Sequence, residues 1–256
     1  MDHIRKTDET SRTAVPKQEP KMPEHDLPPV DRTIAKQLIA FVLDTSSLSE
    51  ERIAALNEGL ERFRDEMEEL VEEYTALEGL EIAVVSFGGS VTVEREFTPI
   101  ENWTPPTLTT GSGSPMGAAI METCRMIEDR KEAYRASGTA YHMPEVWLVT
   151  GSTPTDMTEG DETWDRVTRT LERGVSDDHI LFVPAGISGT GLEECARLFP
   201  ETGLPLFELE DRERMFRDYF ELVAESPQRD YIYTSPTQGI AFVQLIEDSV
   251  ALSVVD

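Results

Sequence analysis

Acid and hydroxyl side chains gather in three short stretches of the chain: "DTSSLS" at 44–49, "TTGSGSPMG" at 109–117 and "TGSTPTD" at 150–156. The first joins an apolar, strand-like segment to a helix-like one. An oxygen-rich turn in that position is either a cation site or the remains of one, because hard divalent cations take oxygen ligands. Each residue also has a purely structural reading. Ser46 and Ser47 can cap the helix that follows, Ser114 with Pro115 can begin the next, and Asp44 can accept hydrogen bonds from loop amides.

For catalysis the inventory is poor, and no catalytic residue is assigned. His3 and His25 lie in the first 33 residues, His142 precedes an expected strand and His179 begins one. None has zinc-motif spacing or a partnered nucleophile. Neither Gly-x-Ser-x-Gly nor a Cys with a nearby His occurs. The glycines at 111, 113 and 117 are one residue off a dinucleotide fingerprint, and no Lys follows as a P-loop requires. A nucleotide-binding or hydrolytic enzyme is therefore the weaker alternative.

The elements that must position these loops are legible. "LIAFVL", after Gln37, is an unbroken apolar run of strand length, which marks a strand covered on both faces. Ile53, Leu56, Leu60, Phe63, Met67, Leu70, Val71 and Tyr74 recur at helical spacing. They predict a long amphipathic helix, with Ser47 and Glu50 spaced as a capping box. "LEIAVVSFGG" and "SVTVEREFTPI" read as a hairpin around Gly88 and Gly89, contributing an antiparallel edge strand. After the second loop comes the helix "AAIMETCRMIEDRKEAYRA", then the strands "EVWLVTG" and "HILFVPAG" with the helix "DETWDRVTRTLERG" between them. A short helix near "GLEECARLF", a short strand near "LPLFEL" and the helix "DRERMFRDYFELVA" complete the alternation. This predicts an α/β fold: a doubly wound, mostly parallel sheet with helices on both faces. Such sheets carry their sites outside the carboxyl ends of the strands, where all three loops fall. The last segment, "DYIYTSPTQGIAFVQLIEDSVALSVVD", breaks the pattern and predicts an extra C-terminal β-hairpin that caps the sheet or offers an edge.

Three regions follow. Residues 1–33, rich in Pro and charge and without period, form a disordered tail; 34–226 form the domain; 227–256 form a β extension on or beside it. The formal charge of −27 and pI near 4.4 repel nucleic acid and anionic membranes. No apolar run of membrane-spanning length and no secretory leader is present, so a cytoplasmic location is expected. Cys124 and Cys195 sit in expected helices as reduced core thiols. Trp103 and Trp164 are partner contacts if exposed and silent if packed against the sheet.

With these motifs in this order, residues 36–222 resemble the von Willebrand factor A domains, most closely the TerY-like bacterial branch. The resemblance rests on "LDTS", "ALNEGL", "VVSFGG", "PPTLTTGSGSPMGAAI", "RKEAYRASG" and "WLVTGSTPTD". It implies a metal-ion-dependent adhesion site, in which a first-loop Asp-x-Ser-x-Ser, a second-loop Thr and a third-loop Asp hold Mg²⁺ and leave one position for a partner's carboxylate. Asp44 and Ser46 match the first loop, and Ser114 stands for the Thr. A glycine is missing after Ser46. Either Ser47 takes the last ligand's place with Leu48 standing for the usual Met, or Leu48 occupies the ligand position itself. In the third loop the family's Thr-Asp-Gly is Thr150, Gly151, Ser152, so the acid has become a glycine. Asp156 lies a few residues on, yet that Asp is not the family's usual ligand. One acid among hydroxyls offsets too little of the cost of dehydrating the ion, so metal binding is expected to be weak or absent. Restoring the acid through Gly151→Asp is expected to create it.

The resemblance thus implies a protein-interaction module with a degenerate adhesion site and no cofactor. A working Mg²⁺ site that binds a partner's carboxylate is the alternative. Relatives of this kind work beside kinases, phosphatases or AAA-type ATPases in stress, tellurite-resistance or phage-conflict systems. The partner surface would be the loop end bearing Asp44, Ser114, Gly151 and Asp156.

Overall fold

The protein is described by a computed structural model, which covers residues 35–46, 48–73, 75–176, 179–187, 192–199, 206–209, 214–225 and 252–254. The expected tail, Ser47, its capping box with Glu50 and the expected C-terminal hairpin, apart from 252–254, lie outside the described residues.

The apolar run after Gln37 becomes strand β1 (Gln37–Asp44), buried along nearly its whole length. It pairs in parallel with β2 (Leu80–Gly88) on one side and β4 (Glu145–Thr150) on the other. Strands β5 (Leu181–Ile187) and β6 (Phe207–Leu209) continue the parallel run beyond β4. Both edges are antiparallel: β3 (Ser90–Pro99) returns from β2 through a turn in which Gly89 takes φ 83, and β7 (Leu252–Val254) pairs with β6. The order is β3-β2-β1-β4-β5-β6-β7. The chain leaves β1 toward β2 and returns to pair β4 on its other side. The switch point, where the loops after neighbouring strands diverge and leave a crevice, therefore lies between Asp44 and Thr150.

Side chains alternate between the two faces of the sheet. Ile39, Phe41 and Leu43 of β1 pack toward α1 (Glu50–Glu73) and α5 (Met215–Glu225). Leu38, Ala40 and Val42 pack toward α2 (Met116–Ser137), α3 (Glu162–Ser176) and the short α4 (Leu192–Ala196). The stripe read from sequence is the one buried: Ile53, Leu56, Leu60, Phe63 and Met67 of α1 face the sheet. Gly59 is required there, since a Cβ would meet the Phe220 ring of α5 at 2.5 Å. Ser49 caps α1, its Oγ accepting from the Arg52 amide at 3.3 Å. Helix α2 ends in a left-handed glycine, Gly138 at φ 72, whose N–H reaches the Tyr134 and Arg135 carbonyls.

Under α2, at the opposite end of β2 from the loops, lies a fully buried ion pair. Arg130 Nε and Nη2 donate to Glu81 Oε2 and Oε1 at 2.7 and 2.8 Å. Both cysteines are buried, and burial pushes the Cys124 thiol up to about 12. Trp103 and Trp164 are also buried, so packing rather than partner contact accounts for them. Among the described residues no helix is long and apolar enough to cross a membrane.

Candidate functional site at the carboxyl end of the sheet

Asp44 is the last residue of β1 and is 1% exposed. A carboxylate held so far from water needs hydrogen-bond donors, and the three loops supply them. Its Oδ1 accepts from the Ser46 amide at 2.8 Å and the Ser46 hydroxyl at 2.5 Å. Its Oδ2 accepts from Ser114 Oγ at 3.3 Å, Thr150 Oγ1 at 3.0 Å, the Gly151 amide at 3.1 Å and Ser152 Oγ at 2.9 Å. The Ser46 and Ser152 hydroxyls lie 2.8 Å apart, so either can give its one hydrogen to the other in place of Asp44. All six of these donors are neutral.

Backbone bonds hold the loops in this arrangement. The Thr45 amide donates to the Phe87 carbonyl at 3.0 Å, and the Gly111 amide donates to the Thr45 carbonyl at 3.1 Å. This stitching needs glycine where chains cross: a Cβ on Gly111 would lie 2.0 Å from the Gly88 oxygen. The third loop latches onto the second. Ser114 and Thr155 exchange two bonds, and Asp156 accepts from the Gly117 and Ala118 amides at 3.1 and 2.8 Å.

The structure therefore brings together Asp44, Ser46, Ser114 and Gly151 as the sequence suggested, the last through its backbone. It gives Asp156 a different place: the carboxylate caps the first turn of α2, favourably placed at the positive end of that helix. Ser114 and Pro115 begin α2 as expected: Pro115 is its N-cap residue, and the Ala119 amide donates to the Pro115 carbonyl at 3.1 Å. Leu48 is buried in the core beside Gly151 and offers no ligand. Two contributors were not singled out from sequence, the hydroxyls of Thr150 and Ser152. Nothing local marks them, since their partner lies 106 and 108 residues away.

A divalent cation needs oxygen lone pairs turned toward it and negative charge to offset its dehydration. Here Ser46, Ser114, Thr150 and Ser152 place hydroxyls within hydrogen-bond reach of the one carboxylate at the centre. One acid among neutral oxygens brings little of the negative charge such an ion requires.

No protein-family model matches the sequence, and no curated protein is similar to it. Solved structures are similar in fold. The von Willebrand factor type A protein from Catenulispora acidiphila superposes with a TM-score of 0.51 at 12% identity, covering 75% of this chain and 43% of that one. The von Willebrand factor domain of the type V pili tip protein Mfa5 from Porphyromonas gingivalis gives 0.51 at 11% identity, covering 76% of this chain and 96% of that one. The pilus adhesin SpaC from Lactobacillus rhamnosus GG, in its open conformation, gives 0.54 at 11% identity, covering 78% and 31%. The chain has the fold of the von Willebrand factor A domains, and it spans less than half the length of the first and third of these proteins.

Proposed function

We propose that the protein is a non-enzymatic interaction module of the von Willebrand A type, with a degenerate adhesion site that binds its partner without a cation. The supporting observation is the setting of Asp44: six neutral donor groups from three loops lie within hydrogen-bond reach of its carboxylate and tie the loops into one arrangement, the work a bound ion would otherwise do. The surface above the cluster fits contact with another protein. No charged residue occurs between Glu101 and Glu122, nor between Glu145 and Asp156, in a chain of net charge −27. Thr109, Thr110, Ser112, Gly151 and Thr155 are exposed there, leaving hydroxyls and backbone groups for a partner to meet at little desolvation cost. The TerY-like resemblance carries the further reading of a cytoplasmic protein in a stress or phage-conflict system, partnered by a kinase, phosphatase or AAA-type ATPase.

Affinity capture from native lysate tests this reading. Wild type is compared with Ser112→Arg/Thr153→Arg, each in Mg²⁺ and in EDTA. A partner kept in EDTA and lost from the loop variant is expected. A partner released by EDTA, or one indifferent to the loop substitutions, contradicts the proposal.

A further inference from the structure

Resting on the reading of the Asp44 cluster as a cation-free site, we infer that Ser152 rather than Gly151 determines whether this site takes a divalent cation. Alignment by resemblance puts the missing acid at 151, but a side chain there would not face Asp44. A Cβ on Gly151 would lie 3.5 Å from Ile187 Cδ1 and 3.8 Å from Leu48 Cδ2, both buried apolar residues. A carboxylate there would start against these two apolar side chains rather than among the oxygens around Asp44. Gly151 serves Asp44 through its N–H instead.

One residue on, the side chain is directed the other way. Ser152 Oγ sits 2.9 Å from Asp44 Oδ2 and 2.8 Å from Ser46 Oγ. The Ser152 carbonyl lies 3.0 Å from Thr150 Oγ1, an alternative acceptor for the one hydrogen that hydroxyl can give to Asp44. Asp44, Ser46 and Ser152 thus close a ring of three side chains carrying a single negative charge. An acid at 152 would set two carboxylates against each other beside the hydroxyls of Ser46 and Ser114. Like charges that close repel, and a divalent cation between them removes the repulsion. Ser152 is on this reading the specificity-determining residue: its hydroxyl satisfies Asp44 and closes the ring without an ion.

The test is Mn²⁺ binding by the full chain, read from loss of the free-ion electron paramagnetic resonance signal, for wild type, Ser152→Asp and Gly151→Asp. Ser152→Asp is expected to bind one Mn²⁺ at least about ten-fold more tightly than wild type. That gain disappears when Asp44→Asn is added, and Gly151→Asp stays at the wild-type level. A gain in Gly151→Asp, or none in Ser152→Asp, overturns the inference. Should circular dichroism show the aspartate variant unfolded, Ser152→Glu takes its place under the same criterion. Saturable, Asp44-dependent binding by wild type would instead overturn the cation-free reading itself.

Discussion

Ser114 and Thr155, 41 residues apart, bond each other twice: the Ser114 amide donates to Thr155 Oγ1 at 2.9 Å and the Thr155 amide to the Ser114 carbonyl at 2.8 Å. This pair joins the second and third loops beside the cluster, where Ser114 Oγ also reaches Asp44 Oδ2 at 3.3 Å. It also carries Asp156 over the start of α2, where two amides would otherwise lack an acceptor. The loop end is therefore a single cross-braced body rather than three independent connections.

Asp156 acts on α2 as a capping side chain supplied from another loop. Asp156→Ala is expected to destabilise the protein by about 1 kcal/mol. The urea midpoint should fall with the slope unchanged. An unchanged midpoint would deny Asp156 that role.

Removing Asp44 has a larger cost, because the Ser46 and Gly151 amides and the Ser114 hydroxyl lose this acceptor together, leaving the Thr150, Ser46 and Ser152 hydroxyls only their alternatives. Asp44→Ala is expected to cost more than about 3 kcal/mol, since each buried unsatisfied donor carries its own desolvation penalty. Amide exchange at Ser46 and Gly151, both bonded to this carboxylate, should accelerate in any folded fraction. Protection retained at those two amides would show that other contacts hold the loops.

Glu81 and Arg130 form a bidentate pair in a fully buried setting, so breaking one partner strands a charge. Glu81→Ala should cost roughly 3–5 kcal/mol, and replacing both residues with apolar ones of similar volume much less. A double-mutant cycle by chemical denaturation reads the coupling. Additive losses would mean that the two side chains do not interact.

Asp161 precedes α3, and the amides of Trp164 and Thr158 bond its carboxylate at 2.7 Å each. These bonds hold its pKa below the usual carboxylate value. A depressed folded pKa means the cap's contribution is complete above the unfolded value, near pH 4, and is lost as pH falls through the folded one. Carbon-detected NMR titration of the side chain should show this low midpoint, and Asp161→Asn should remove the associated acid sensitivity of α3. A midpoint at or above 4 would contradict the assignment.

The strands and long helices were legible because burial on two faces or one stripe writes a period into the sequence, as in β1 and α1. The site was legible only in outline. Loops have no period, so nothing in "TGSTPTD" tells that Gly151 presents its backbone, Ser152 its hydroxyl and Asp156 a helix cap. A single-residue step redirects each side chain, and the partners stand 38 to 108 residues away. Trp103 and Trp164 show the same limit in the core. Their types allowed either contact or packing, and only the fold decided.

The most direct test is calorimetric titration of the wild-type chain with Mg²⁺ and with Mn²⁺. A cluster completed by its own hydroxyls predicts no saturable heat through low-millimolar ion. A saturable isotherm in that range, abolished by Asp44→Asn in a chain that remains folded, would contradict it.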